Sequence, residues 1–468
     1  MRLTLAEVMA AAQAAGDVGP WLGLEIASVV IDSRKAGPGA LFCCLPGERA
    51  DGHDFAPQAV ERGASAVLAS RPVPALAGNV PVLLVPDVTR ALGLLARHWR
   101  RRVNPVVAAL SGSAGKTTAK EMLAAIGQEM GSCIKNPGNF NNQLGLPLSM
   151  LAAEASDRLW VLELGISRPG DMEELAAICE PDLAVVHNIG PAHLEGLGNL
   201  DGVGRAKAAL FGFLRPGGAA LANKDYPELW RAAQALRPDV LAMSTRDPDA
   251  PYFCAYTGCN PDGMGLYRLF LDGDALDVEL PCQGAHLAEN VLAAGAAASL
   301  LGASREQIAL GLSRAALPGG RFAVRRVGGS TVIDDTYNAN PLSMRAAIDS
   351  ARAMAGEKPL VLVLGAMGEL GPGALAAHEE LGECIAAGGC RLVVFRDSQG
   401  GEAQAVERGL RQGGYGGEFR AVPTPEDFAR AARAGEIPDG AVLFKGSRSQ
   451  RMEEFLERYL ESKREGGQ

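Results

Sequence analysis

Residues 106–123 read VVAALSGSAGKTTAKEML. The apolar run Val106–Leu110 suits a strand buried on both faces. Gly112 and Gly115 permit a tight reversal, and Ala, Met and Leu then recur at helical spacing. A strand that runs through a Gly-rich turn into a helix commits this part of the chain to a parallel sheet covered by helices. The same alternation recurs downstream. RLWVLELG (158–165), DLAVVHNIG (182–190) and GAALANK (218–224) read as strands, with helices such as DMEELAAICE and DGVGRAKAALFGFL between them.

Before this block, DVTRALGLLARHWRRR (87–102) is helical in period, and the chain to about residue 85 reads as short strands, turns and the helix HDFAPQAVERGA. The opening 20 residues read as an amphipathic helix, because Glu7 interrupts the apolar core a secretory signal needs. Residues 250–283 alternate in an antiparallel manner. After LPGGRF (317–322), the segments STVIDDTY, PLVLVLGAMG, RLVVFRD and AVLFKGS indicate a further α/β unit. The expected division is 1–85, 86–319 and 320–468, all α/β, with a mostly parallel sheet in the middle. The tail ESKREGGQ is expected to fray.

The chain has 468 residues and a net charge of −9, which argues against nonspecific nucleic-acid binding as its task. It has no apolar run of membrane-spanning length. Nine scattered cysteines without a CxxC read as reduced thiols of a cytoplasmic protein. Cys254 and Cys259 lack the matching second pair of a zinc site.

Strand, Gly-rich turn, Lys-Thr and helix together make a phosphate cradle: the amides of Gly112, Ser113, Ala114 and Gly115 and the helix start form a partly positive nest. Lys116 is placed to reach terminal phosphates, and the hydroxyls of Thr117 and Thr118 follow, Thr117 suited to a magnesium ion. Glu163, His193 and Lys207 lie at later strand ends, or on the loop or helix that follows, where open α/β sheets bind ligands.

These segments, with NPGNFNNQLGLPLSML, ELGISRPGDMEEL, DDTYNANPLSM and FKGSRS, resemble the Mur ligase family over nearly the whole chain. They are most similar to its members that join D-alanyl-D-alanine to UDP-N-acetylmuramoyl-tripeptide. The resemblance implies three domains: a UDP-binding domain, a central ATPase and a C-terminal Rossmann-like domain. It also implies ATP with two magnesium ions, an acyl-phosphate intermediate, and a monomer in the cytoplasm.

By that likeness Thr117, Glu163, His193 and Lys207 surround the metals, with Lys207 carbamylated. Asn290 lies beside adenine, although Leu287 stands where the family commonly has an asparagine. Arg321 reaches the γ-phosphate, Asp335 accepts from ribose, and Asn338 and Asn340 serve the reaction. Ser33 and Arg34 face the uridine diphosphate, with Asp51, Gly52 and His53 nearby. Asn139, Asn141, Asn142, Ser167 and Arg168 take the sugar-peptide, and Lys445, Ser447 and Arg448 the acceptor carboxylate. His286 and His378 read equally well as structural residues. Among rivals, a sibling ligase for a diamino acid needs an Asp-Asn-Pro-Arg motif that is absent, and a GTPase switch needs a spacer that ANKDY (222–226) lacks.

Overall fold

A computed structural model describes residues 1–47, 50–260, 264–282, 284–317 and 319–465. Of the stretches quoted above, Glu48, Arg49, Pro318 and the last three residues of the tail lie outside it, as do four positions of the 250–283 stretch. Three main sheets follow one another along the chain.

The first is four-stranded and parallel, built from Ser28–Val30, Ala40–Cys43, Ala66–Ala69 and Val82–Leu84. The expected helix over residues 1–20 is shorter. Leu3–Thr4 pairs as a strand with Glu25–Ile26, and the helix Leu5–Ala11 follows, started by a Thr4–Glu7 capping box. It stops before Gly16, where Ala15 bridges to Leu84.

The nine-stranded central sheet runs, from one edge, Asp274–Leu280, Gly265–Leu271, Tyr252–Cys259, Leu241–Ser244, Ala219–Asn223, Leu183–Val186, Val106–Ser111, Leu159–Glu163 and Cys133–Lys135. All are parallel except the hairpin that adds the first two. The alternating segment therefore extends the parallel sheet rather than standing apart from it. Cys133–Lys135 and Leu241–Ser244 carry too few residues for their period to be read in the sequence.

Val106–Ser111 lies between Leu183–Val186 and Leu159–Glu163, so the Gly-rich turn emerges where chain connections leave in opposite directions. Helix Lys116–Met130 lies against one face together with Ala288–Leu300, an Ala-rich helix buried almost throughout. The other face shares one apolar core with Val88–Val103 and with Leu41 and Leu68 of the first sheet.

The third sheet is ordered Ala323–Val327, Ser330–Asp335, Ala441–Lys445, Leu360–Leu364, Leu392–Arg396 and Glu418–Val422, and only its first strand is antiparallel. Separate apolar clusters cover its two faces, as in a doubly wound domain. Among the described residues no helix is long and apolar enough to cross a membrane.

Candidate functional site

The turn after Val106–Ser111 is held by side chains from neighbouring strand ends. Gly115 is left-handed (φ +71°), and a Cβ there would lie 2.3 Å from Asn290 Nδ2. A Cβ on Gly112 would lie 2.6 Å from the His187 ring. Only glycine fits both places. Asn188 Oδ1 accepts from the amides of Ser113 (2.9 Å) and Ala114 (3.0 Å), while His187 Nε2 meets Ala114 O at 2.7 Å.

The amides of Ser113 and Ala114 are thus occupied, which corrects the expectation that the whole turn offers its N–H groups to a phosphate. The first turn of helix Lys116–Met130, which Lys116, Thr117 and Thr118 open, has no side-chain cap and remains the anion-facing end. Asn290 Nδ2 donates to Gly115 O at 2.9 Å, so this side chain braces the turn.

Thr117 Oγ1 donates to Glu163 Oε2 at 2.7 Å in a buried contact. Glu163 Oε1 accepts from Asn141 Nδ2 at 2.6 Å, and Asn136 bonds both the N–H and the C=O of Glu163. Asn141, expected by likeness at the sugar-peptide, thus also orients the Glu163 carboxylate. Lys120, fully buried, donates to the carbonyls of Asn136 (2.7 Å) and Gly138 (2.9 Å), fixing the loop that carries these asparagines.

Lys116 makes no ion pair among the described residues. Loss of water and the nearby Arg321 hold its ammonium below its usual pKa, while Glu163 and Glu369 oppose the shift. Lys207 is 1% exposed. Burial first, then Lys116, holds its pKa well below the usual lysine value, against Glu163.

Thr117, Glu163, Lys116 and Lys207 thus share one electrostatic site, but His193 does not join Glu163. It is left-handed (φ 56°), and its Nδ1 pairs with Glu369 Oε2 of the third sheet's loop at 2.6 Å. Among the described residues no group of three or more His, Cys, Asp or Glu could hold a metal alone. Two hard oxygen donors, Thr117 Oγ1 and Glu163, do suit a magnesium ion whose other ligands are phosphate oxygens and water.

The third sheet reaches the turn directly, since Asn340 Nδ2 donates to Ser113 O at 3.1 Å. The same residue caps helix Pro341–Ala355 through Ser343 N, so the capping role and the contact with the turn coexist. The Arg321 guanidinium stacks on Tyr337 at 3.9 Å, and its buried Nε has no partner.

Asp335 Oδ2 takes the Lys445 ammonium at 2.5 Å and its Oδ1 the Phe322 amide, so each oxygen already accepts one internal hydrogen bond. Lys445, 2% exposed, is also bonded to Asn338 O, so two of its three donors are used inside the protein. Asn338 Oδ1 bonds the Ala339 amide, and Ser447 lies against Ser449. Arg448 pairs with Glu453 near solvent, and the acceptor role expected of it stands on exposure alone.

His378 is a buried strut, its rings' nitrogens bonded to Met367 N and Ala374 O. His286 meets Ser350 Oγ at 2.6 Å and Phe322, joining the middle and third sheets. In the first sheet Ser33 is buried, with Oγ on Gln58 at 2.7 Å, so its hydroxyl proton is already used. Arg34 forks onto Asp32 in solvent. His53 joins Asp51 to Ser70, and Asp51, not His53, caps the short turn of helix that follows.

Asn139 is exposed, and Asn142 Oδ1 caps the start of Gly145–Ala152. Ser167 and Arg168 are exposed on a loop tied to Asp171. Lys120, Asn136, His187, Asn188 and Glu369 were missed by sequence reasoning. His187 and Asn188 end a recognised strand, a position that could have marked them, but Glu369 is brought in only by the meeting of two sheets.

The Mur ligase family, catalytic domain, model matches residues 25–100, the Mur ligase middle domain model 110–298, and the Mur ligase, glutamate ligase domain, model 320–448. The UDP-N-acetylmuramoyl-tripeptide–D-alanyl-D-alanine ligase of Escherichia coli (strain K12) is 35% identical over 436 residues, covering 92% of this chain and 93% of that protein. A crystal structure of MurF from Acinetobacter baumannii superposes with a TM-score of 0.88 at 30% identity, covering 98% of this chain and 99% of that one. MurF ligase from Thermotoga maritima, in complex with ADP, gives 0.84 at 29% identity, covering 94% and 99%. With the braced Gly-rich turn, the Thr117–Glu163 contact and the third sheet closed against them, likeness of this extent makes the chain a member of the Mur ligase family.

Proposed function

We propose that this chain is an ATP-dependent, ADP-forming ligase that adds D-alanyl-D-alanine to UDP-N-acetylmuramoyl-tripeptide in peptidoglycan precursor synthesis. The observation that carries the reading is full-length likeness to ligases of that name, held together with an intact phosphate turn. A carboxylate is a poor electrophile. Transfer of the γ-phosphoryl group to the tripeptide's terminal carboxylate creates a mixed anhydride, which the dipeptide amine attacks. The C–O bond to phosphate then breaks, leaving an amide, ADP and inorganic phosphate.

In this reading Lys116 and the first-turn amides of its helix hold the phosphates, where developing negative charge needs fixed positive groups. Thr117 and Glu163 are the residues that would hold a magnesium ion, which neutralises phosphate charge when bound. Burial disfavours the charged form of Lys207; a carbamate forms when carbon dioxide adds to the neutral amine of a lysine, with release of a proton. Such a carbamate turns a cation into an oxygen ligand. Arg321 and Asn340 bring third-sheet donors to the phosphate end. Residues 1–85, 86–319 and 320–468 are taken as the UDP-sugar, nucleotide and acceptor domains of a cytoplasmic monomer with no nucleic-acid partner.

The test is phosphate release by the pure chain with ATP, magnesium and UDP-N-acetylmuramoyl-tripeptide, offered D-alanyl-D-alanine, glutamate or a diamino acid in turn. Release dependent on D-alanyl-D-alanine supports the reading. Dependence on another acceptor makes the chain a sibling ligase, and hydrolysis indifferent to all of them makes it a nucleotide switch.

A further inference from the structure

Glu369 stands on the loop after Leu360–Leu364, at the carboxyl end of a central strand of the third sheet. Its φ is +60°, a left-handed conformation that is strained for a non-glycine residue. The strain is held by its surroundings. Met367 and Leu370 on either side are buried, and the Met367 amide is pinned to His378 Nε2 at 2.9 Å in the core. The Ala366 carbonyl is held by the Ser447 amide. The loop therefore aims one side chain, 69% exposed, out of the third sheet and onto His193 Nδ1 at 2.6 Å, within the field of Lys116.

The groups gathered at this spot are mostly basic: Lys116, Lys207, Arg321 and His193. Glu163 is the other carboxylate in the field of Lys116, and Thr117 and Asn141 occupy its two oxygens. Of the two carboxylates acting on Lys116 among the described residues, Glu369 is the one anchored in the third sheet, and its exposed side chain is free to change partner. Of the three substrates in the proposed reaction, two bring anions to Lys116, and the third brings an ammonium.

The geometry points to Glu369 as the residue that binds the ammonium of the incoming acceptor dipeptide, at the carboxylate face that the His193 ring meets in this structure. This rests on the ligase reading above. A carboxylate grips an ammonium by charge-assisted hydrogen bonds and favours an amine over a neutral group of the same shape. Placement beside the field of Lys116 orients the nitrogen toward the carbonyl that carries the transferred phosphoryl group.

The experiment uses the full chain and its Glu369→Gln and Glu369→Asp variants. The KM of each substrate is measured, together with inhibition by D-2-hydroxypropanoyl-D-alanine, in which a hydroxyl replaces the ammonium. In Glu369→Gln the KM for D-alanyl-D-alanine should rise about tenfold or more, that for ATP and for the UDP-tripeptide should stay within about twofold, and Glu369→Asp should recover part of the loss. The hydroxyl analogue should bind wild type and Glu369→Gln alike.

An unchanged dipeptide KM overturns the proposal. So does a parallel rise in the KM of ATP or in the magnesium required, which would make Glu369 part of the nucleotide site or a latch between domains. Equal weakening of dipeptide and analogue overturns it as well, since a structural defect does not distinguish them. A wild-type chain that ignores D-alanyl-D-alanine defeats the function reading itself, an outcome separable from all of these.

Discussion

The middle and third sheets are both doubly wound, and both place charged residues at the carboxyl ends of central strands, yet they use them in opposite ways. In the middle sheet, Lys116 makes no ion pair among the described residues and Lys207 is buried with its charge disfavoured. In the third, Asp335 is closed onto Lys445 and both nitrogens of His378 are bonded. At these residues the middle sheet leaves lysine charge uncompensated, whereas the third sheet uses paired groups to stiffen its loops. Position at a strand end is therefore a poor guide to function by itself. For the lysines compared here, what differs is whether an opposite charge already pairs with the group: Lys445 has Asp335, and Lys116 has no ion pair among the described residues.

Each side of that contrast can be broken by mutation. The largest effect is expected at Lys116→Ala, which should lower kcat by about 10²–10³-fold or more while leaving affinity for the UDP substrate within about twofold. Wild-type turnover in that variant would remove the phosphate-turn assignment. Lys445→Met leaves the half-sheltered Asp335 carboxylate unpaired and should cost about 3 kcal/mol of stability, read by chemical denaturation. Adding Asp335→Asn should recover most of it, and loss of acceptor binding with stability intact would return Lys445 to the acceptor site.

Acid should loosen the turn through His187. Burial, first, holds its pKa near about 4 against an ordinary 6.5, so the unfolded chain takes the proton more readily. The stability it contributes is full above pH 6.5 and is lost as pH falls toward 4, by about 1–3 kcal/mol. His187→Asn should flatten that limb of a denaturation series between pH 7 and 4.5. The smallest change is expected at Arg34→Ala. Its solvent-facing pair with Asp32 contributes little to stability, so any sizeable effect must appear in the KM of the UDP substrate.

Much of the architecture was legible. Runs such as VVAALS and RLWVLELG are continuous because both faces of a parallel strand are covered, and the Gly-rich turn between strand and helix was readable from residue type alone. The edges were not, because three residues at 133–135 show no period. In the site, Lys116, Thr117, Glu163 and Lys207 were placed together by motif and likeness. The internal hydrogen bonds that Asn141, Asn142, Asn290, Asp335 and Lys445 make were not legible in the sequence.

The local string of residues was enough to dictate a covered parallel sheet with a phosphate-binding turn, because strand burial, glycine conformation and helix polarity are all short-range properties. It could not dictate which polar groups remain available or that Glu369 meets His193. Those depend on partners up to 227 positions away, as with Asn340 and Ser113, and only the folded chain decides which donors and acceptors saturate one another.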